Sequence, residues 1–134
     1  MILTPEDVII GTRTVWMEAR GEPQEGRIAV AHVIKNRRDY KPGDRWNTIG
    51  QVCLDWLQFS GWRENDPNFV LALKLTPEDK LFRECQIAFL TAYDSKDTTS
   101  GSRHYHAKYV NPNWVTGKVP VVIIGRHLFY NDIQ

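Results

Sequence analysis

The segment 16–23, which reads W-M-E-A-R-G-E-P, places the strongest constraint on how this chain folds. Apolar residues recur at helical spacing before it and again after it, whereas a glycine and a proline interrupt the pattern between. We therefore predict two helices that meet at a sharp corner. Gly21 is the predicted C-cap of the first helix, and Pro23 is predicted to open the second.

Two carboxylates lie at this corner. The first helix is predicted to start with Thr4 as N-cap and Pro5 at its first position. Glu18 lies near the end of that helix, about 60° around the axis from the apolar Val15 at ~100° per residue. Its side chain can therefore face a cleft while the helix stays anchored in the core. Glu22 is either a second acid or base, or a charge at a helix N-terminus with no catalytic part.

The second helix carries the most regular apolar pattern in the chain. Its 3-4-3-4 stripe consists of Gly26, Ala29, Val30, Val33, Ile34 and Arg37. The small members of this stripe leave room for the close approach of another helix. His32 falls on the opposite face, so it is interpreted as a surface or half-buried histidine.

Three further helices are predicted before residue 94. The first covers about 48–59, with Ile49, Val52, Cys53, Trp56 and Leu57 on its inner face. The polar segment 63–69 is interpreted as a lid or substrate loop, followed by a short helix at 70–75. A second T-P-E-D signal at 76–79 predicts a helix that reaches about Tyr93 and buries Leu81, Cys85, Ala88, Phe89 and Ala92.

The composition changes after residue 102 to alternating and β-branched segments. Residues 103–107, 119–124 and 127–130 are predicted strands of a small antiparallel sheet. The predicted fold class is therefore α+β, mainly helical, with the sheet near the C-terminus. A length of 134 residues fits one domain with one core, covering residues 1–134.

The net charge, the hydropathy and the cysteines bear on whether the protein binds nucleic acid, enters a membrane or contains a disulfide. A net charge of +1 gives no global field that would attract nucleic acid. The sequence contains no window of 18 continuous apolar residues, so we predict no membrane-spanning segment. The first fifteen residues do not resemble a signal peptide, so we expect the protein to be cytoplasmic on synthesis. Cys53 and Cys85 form no C-x-x-C pair and are expected to be free buried thiols, although their spacing also permits a disulfide.

Several residues suit chemistry on a glycan. Cleavage of a glycosidic bond requires a carboxylic acid that is still protonated when it meets the leaving oxygen. Burial beside an aromatic ring raises the pKa of a carboxyl group and so keeps it protonated. Glu18 fits this role, with Trp16 and Trp114 as candidate apolar neighbours. His104 and His106 share one face of a strand, with Tyr105 on the other. Together with His127 they either hold a metal ion or line a saccharide cleft.

The motifs resemble those of the SleB-type, spore cortex-lytic family of cell-wall hydrolases. The run M-E-A-R-G-E-P at 17–23, E-G-R-I-A-V-A at 25–31 and V-I-K-N-R at 33–37 match its first signature. The Q-F-S at 58–60 matches a second segment. The C-terminal part matches through Y-H-A at 105–107, N-P-N-W at 111–114 and I-G-R-H-L-F-Y at 124–130. The resemblance covers about residues 8–130.

This resemblance implies a compact lysozyme-like domain that cleaves peptidoglycan glycan strands as a muramidase or lytic transglycosylase, without a cofactor. Its catalytic glutamate maps onto Glu18, and Glu22 is the candidate second acid or base. The substrate-binding residues predicted on this basis are Phe59, Ser60, Tyr105, His106, Trp114, His127 and Tyr130. We expect a monomeric, phage endolysin-like member released by a holin.

Three alternatives follow from the same residues. A hydrolysing enzyme needs a second carboxylate across the cleft, for which Glu22 and Asp66 are the candidates. A zinc amidase would use His104, His106 and His127 to cut between muramic acid and the stem peptide. A non-catalytic glycan-binding module would keep the fold and the aromatic residues without needing a proton donor.

Overall fold

The computed structural model describes residues 3–40, 46–55 and 58–133, and its architecture is α+β, as predicted. The helices are α1 (Pro5–Ala19), α2 (Gln24–Asp39), α3 (Ile49–Leu54), α4 (Pro67–Leu73) and α5 (Lys80–Asp94). The strands are β1 (His104–Ala107), β2 (Val122–Ile124) and β3 (His127–Tyr130), with 3-10 turns at Ser60–Trp62 and Asn113–Val115. No helix in the described ranges has the length and hydrophobicity needed to cross a bilayer.

Helix α1 begins as the sequence predicts but ends differently. The Thr4 side chain accepts the Asp7 backbone N–H, and Asp7 accepts the Thr4 N–H in return, which forms a capping box. At the other end the C-cap is Arg20, in right-handed helical conformation. The prediction of Gly21 as the C-cap is therefore wrong, and Gly21 is not among the positive-φ glycines of the described chain, which are Gly101, Gly117 and Gly125.

Helix α5 packs against both α1 and α2 and completes the main core. The α1–α5 contact is close at Gly11, where an added Cβ would lie 2.2 Å from the Phe89 ring. The loop that follows α5 covers the second face of α2. As a result His32 is 1% exposed, and its ring nitrogens contact the Ser95 and Thr98 hydroxyls. The interpretation of His32 as a surface or half-buried residue is wrong for this reason.

The three strands form an antiparallel sheet in the order β1-β3-β2. One face, with Tyr105, Phe129 and Val122, packs on Ala29 and Val33 of α2. Ala29, one of the small residues of the α2 stripe, therefore lies against the sheet. The register pairs Tyr105 with Phe129 and Ala107 with His127, so these four residues share the face that is turned toward the helices.

The middle of the chain contains the largest differences from the predicted elements. Helix α3 ends at Leu54 with Asp55 as its C-cap, and Trp56 and Leu57 lie outside the described residues. Residues 67–69 of the predicted loop 63–69 belong to α4, because Asp66 accepts the Asn68 N–H at 2.8 Å and caps that helix. The 76–79 segment is a turn before α5. Cys53 and Cys85 are free and buried.

Candidate active site

A groove of about 320 Å³ opens where the α1–α2 corner meets the β1–β3 end of the sheet. Helix α1 ends here and presents its last turn, while β1 ends and β3 begins on the opposite wall. The side chains at this end of the sheet and at the corner line the groove together. Its lining residues are Met17, Glu18, Ala19, Arg20, Gly21, Glu22, Ala107, Tyr109, Arg126 and His127.

Glu18 lies in the wall of this groove and is half-buried. Its Oε1 accepts a hydrogen bond from the Tyr105 hydroxyl, which reaches it from β1. Burial raises the pKa of Glu18 above the ordinary 4.5, while the Tyr105 hydrogen bond and the charge of Arg37 oppose that rise and the charge of Asp66 adds to it. The surroundings therefore favour the protonated form, which a general acid requires.

The apolar neighbours predicted for Glu18 are placed elsewhere. Trp16 is buried in the core with the Arg20 guanidinium 4.0 Å above its ring. Trp114 packs on the opposite face of the sheet from Tyr105, against His104 and His106. The prediction that Trp114 desolvates Glu18 is therefore wrong.

Glu22 is 6% exposed and both of its oxygens accept hydrogen bonds from Arg126. The Arg126 backbone N–H lies 2.7 Å from Oε1, and its Nε lies 2.8 Å from Oε2. Burial alone would raise the pKa of Glu22, but the two hydrogen bonds, helped by His127 and the Arg126 charge, lower it. This arrangement favours an ionised carboxylate that joins the α1–α2 corner to the turn before β3.

The contact between Glu22 and Arg126 requires a glycine in the turn before β3. Gly125 has a φ of +59°, and a Cβ at this position would lie 2.6 Å from Glu22 Oε1. A side chain here would strain the backbone and displace the carboxylate. The glycine thus allows Glu22 to approach the Arg126 backbone.

His127 lines the groove and is nearly buried at 8% exposure. Burial lowers its pKa, against the nearby charge of Glu22, so the neutral imidazole is favoured. Its ring centroid lies 5.1 Å from that of Tyr105. Nδ1 is buried without a hydrogen-bond partner among the described residues, and lies 3.9 Å from Glu22 Oε1.

Three residues predicted to bind sugar lie on the face of the sheet opposite to Tyr105 and Glu18. His106 donates to or accepts from the Tyr130 hydroxyl at 2.9 Å, and the two rings stack. Trp114 closes this cluster edge-on to both rings. Tyr130 is 3% exposed, so the prediction that its ring meets a ligand is wrong. None of the three lines the groove.

The Q-F-S segment also lies outside the groove lining. Phe59 is 2% exposed and belongs to the main core, where the Arg37 guanidinium lies 4.9 Å above its ring. The predicted direct contact of Phe59 with substrate is therefore wrong, because its ring is buried in the core. Ser60 is exposed and opens the 3-10 turn whose Gly61 packs on Met17.

The histidine arrangement does not support the zinc amidase alternative. His104 and His106 both contact Trp114 on one face of the sheet, whereas His127 contacts Tyr105 on the other. Side chains on opposite faces do not converge on one ion. Within residues 3–40, 46–55 and 58–133, no group of three His, Cys, Asp or Glu side chains is placed to hold a metal.

The polar groove residues that were not predicted from the sequence are Arg20, Tyr109 and Arg126, and Arg37 acts on Glu18 through its charge. Arg37 and Arg126 belong to two of the family-like motifs, N-R at 36–37 and I-G-R-H at 124–127. Their place in these motifs could have marked them as candidate site residues. Tyr109 is 86% exposed on the turn after β1, and no pattern marked it. The backbone hydrogen bond from Lys108 N to Arg126 O holds this turn beside the Arg126 turn at 2.9 Å.

A family model described as Cell Wall Hydrolase matches residues 21–130, most of the chain. The chain belongs to this family. Among curated members, it is 29% identical over 126 residues to the spore cortex-lytic enzyme of Halalkalibacterium halodurans, and 30% identical over 128 residues to that of Oceanobacillus iheyensis. These alignments cover 93% and 92% of this chain but 34% and 41% of the relatives, so the chain spans well under half of their length.

Solved structures give the same result for the fold. The catalytic domain of the Bacillus cereus SleB protein superposes with a TM-score of 0.76 at 26% identity, covering 96% of this chain and 91% of that domain. The catalytic domain of a germination-specific lytic transglycosylase, SleB of Bacillus anthracis, gives a TM-score of 0.75 at 26% identity, with 95% of each chain covered. The predicted cell-wall hydrolase family and its SleB-type fold are therefore confirmed.

Proposed function

We propose that this chain cleaves the glycan strands of peptidoglycan between N-acetylmuramic acid and N-acetylglucosamine, with Glu18 as the acid. The observation that carries this proposal is the placement of Glu18, in the wall of a groove and with a raised pKa. Membership of the cell-wall hydrolase family supports the substrate class. A protonated carboxyl in an open groove can reach a glycosidic oxygen, which a buried core carboxyl cannot.

The proposed reaction is a lytic transglycosylation that uses one carboxylate twice. Glu18 first gives its proton to the O4 oxygen of N-acetylglucosamine as the bond from C1 of N-acetylmuramic acid breaks. The resulting Glu18 carboxylate then takes the proton of the muramic 6-hydroxyl, whose oxygen bonds to C1. No water enters, and the glycan fragment ends in a 1,6-anhydro ring. The related Bacillus anthracis domain, a lytic transglycosylase, supports this choice.

The surroundings of Glu22 also support a single-carboxylate reaction. A hydrolase needs a second carboxylate that is free to activate water or attack C1. Both Glu22 oxygens already accept hydrogen bonds from Arg126, which makes Glu22 a poor base. Asp66 supports muramidase chemistry as the second candidate function, since its charge acts on Glu18. Asp66, however, caps α4 and does not line the groove.

Mass spectrometry of the products separates these reactions. Purified peptidoglycan digested with the protein is expected to yield muropeptides with 1,6-anhydromuramic ends, because the 6-hydroxyl replaces water. Reducing muramic ends would instead establish a muramidase, with Asp66 as the residue to substitute next. Released stem peptides with intact glycan strands would contradict the proposal, since that pattern is produced by an amidase.

The hydroxyl of Tyr105 is expected to contribute to the rate and to set part of the pH dependence. It donates to Glu18 and so stabilises the carboxylate that forms when the proton leaves. Tyr105→Phe should lower kcat about tenfold, as expected for one hydrogen bond to a charged group. Removing a donor to the carboxylate raises the pKa of Glu18 further. The alkaline limb of the kcat–pH profile should therefore move to higher pH.

Tyr93→Phe is the matched control for this substitution. The Tyr93 hydroxyl is buried on α5 without a hydrogen-bond partner among the described residues, and it does not line the groove. This variant should keep the wild-type kcat and pH profile. Equal profiles for wild type and Tyr105→Phe would show that the Tyr105–Glu18 hydrogen bond has no part in the reaction.

A further inference from the structure

The imidazole of His127 is fixed in the wall of the groove by aromatic packing. His127 is the first residue of β3, and its ring packs against two rings on the same face of the sheet. The ring centroid of Tyr105 lies 5.1 Å away, and that of Phe129 lies 6.2 Å away and is edge-on. Because the residue is nearly buried, the ring has little freedom to turn, and its two nitrogens keep separate places.

These two nitrogens have different surroundings. Nδ1 is fully enclosed without a hydrogen-bond partner among the described residues, and it lies 3.9 Å from Glu22 Oε1. Nε2 also makes no hydrogen bond within the described ranges, but it is not among the enclosed atoms that lack a partner. Since His127 lines the groove, Nε2 is the nitrogen that a bound molecule can reach.

The carboxylate of Glu22 decides which of the two nitrogens carries the proton. Both Glu22 oxygens accept hydrogen bonds from Arg126, which favour the ionised form. Burial lowers the pKa of His127, and the charges of Arg126 and His106 act in the same direction against Glu22, so the ring carries one proton. A carboxylate attracts an N–H at Nδ1 and repels a lone pair there. The proton therefore stays on Nδ1, which leaves Nε2 as an acceptor.

We propose that His127 contacts the glycan directly, with Nε2 accepting a hydrogen bond from a sugar hydroxyl or an acetamido N–H while Nδ1 keeps its proton beside Glu22. This inference rests on the proposed function, because it names a substrate contact in the same groove. An acceptor at this place selects ligands that present a donor, as N-acetylated sugars do. Glu22 is then a positioning residue, since it acts on the sugar only through the orientation and the tautomer of His127.

The first test is glycan binding, measured in Glu18→Gln so that the ligand stays uncut. The probe is a tetrasaccharide of alternating N-acetylglucosamine and N-acetylmuramic acid, titrated by calorimetry. His127→Asn, added to this parent, places its amide near Nδ1 and should weaken binding about tenfold, because the hydrogen bond at Nε2 is lost. His127→Gln, whose amide reaches the place of Nε2, should stay within about threefold of the parent. His104→Asn, the same exchange on the other face of the sheet, should bind like the parent.

The second test reads the tautomer and needs no substrate. In protein labelled with ¹⁵N-histidine, the signals of His127 are assigned by their loss in His127→Gln, and two-bond ¹H–¹⁵N correlations identify the protonated nitrogen. We expect the proton on Nδ1 in the wild type. Glu22→Gln, which removes the charge, should shift the population toward the tautomer with the proton on Nε2.

Separate outcomes would overturn this inference and the proposed function. Affinity that is equal in the parent and in His127→Asn would overturn the inference, and so would equal losses in His127→Asn and His127→Gln or a wild-type proton on Nε2. If His127→Asn does not fold, His127→Phe replaces it, because it also lacks the acceptor. Cleavage of the tetrasaccharide by Glu18→Gln would contradict the proposed function instead, and the tautomer would still be read in the free protein.

Discussion

Glu18→Gln is expected to reduce glycan cleavage by about 10³-fold or more, within the range that a lost general acid produces. The substitution keeps the size of the side chain and an oxygen that can accept the Tyr105 hydrogen bond. It removes only the proton that would be transferred. Release of soluble muropeptides from purified peptidoglycan, followed at several pH values, measures the effect.

The same variant should be at least as stable as the wild type. The pKa of Glu18 is raised in the folded protein, so its contribution to stability is full below the unfolded value and is lost as the pH rises through the folded value. A neutral glutamine avoids that loss near neutral pH, and the Tm should be equal or higher. The exposed Glu25, in the first turn of α2, gives the control Glu25→Gln, which should change neither activity nor Tm. Wild-type activity in Glu18→Gln would show that Glu18 is not the general acid, whereas no muropeptide release by either protein would favour a binding module.

Glu22→Ala is expected to destabilise the protein by about 3 kcal/mol at pH 7, as found when one member of a buried hydrogen-bonded pair is removed. It takes away the acceptors of the Arg126 backbone N–H and Nε and leaves a cavity behind Gly125. The Arg126 side chain is 62% exposed, so solvent screens its charge, and the loss comes mainly from the two hydrogen bonds. Urea unfolding measures this change.

The pH dependence of this loss has a definite sign. The folded pKa of Glu22 is lowered, so its stabilisation is present above the unfolded value of about 4.5 and is lost as the pH falls through the folded value. The difference between wild type and Glu22→Ala should therefore shrink in acid. Glu84→Ala is the control, because the Glu84 side chain is 38% exposed against 5% for Glu22, and its ion pair with Arg27 should be worth about 1 kcal/mol or less. Equal losses for both variants would contradict the structural role of Glu22.

The corner between α1 and α2 could be predicted from the sequence because its signals are local. Thr4 as N-cap, the apolar stripe of α1 and the position of Glu18 beside that stripe depend only on helical periodicity and capping. The three strands were predicted for the same reason, from short alternating and β-branched segments. The end of α1 was not, because Arg20 caps the helix and Gly21 lies against the Arg126 side chain.

The residues that surround Glu18 could not be found in this way, because they depend on which face of each element is turned inward. The alternation of β1 separates Tyr105 from His106, but the sequence does not say which of the two faces the groove. Packing of Phe129 on α2 decides it and sends Tyr105 toward Glu18. The same packing places Tyr130 and Trp114 on the opposite face of the sheet.

Partners in the folded structure also explain the residues that changed role. His32 looked exposed because its helix face is polar, and it is covered by a loop more than 60 residues away in sequence, with Nδ1 against Thr98. Arg37 looked like the end of an apolar stripe, and its surroundings come from β1, α3 and the Phe59 segment. Neither set of contacts has a signature in the local pattern.

The ionisation of Glu18 in the wild-type protein tests the central claim most directly. Carboxyl-labelled glutamate, observed by ¹³C NMR between acid and alkaline pH, reports the titration of this side chain alone once Glu18→Gln has assigned its signal. We predict a pKa above the ordinary 4.5, because burial outweighs the hydrogen bond from Tyr105 and the charge of Arg37. A pKa at or below 4.5 would contradict this, since the group would then have lost its proton before it met the glycan.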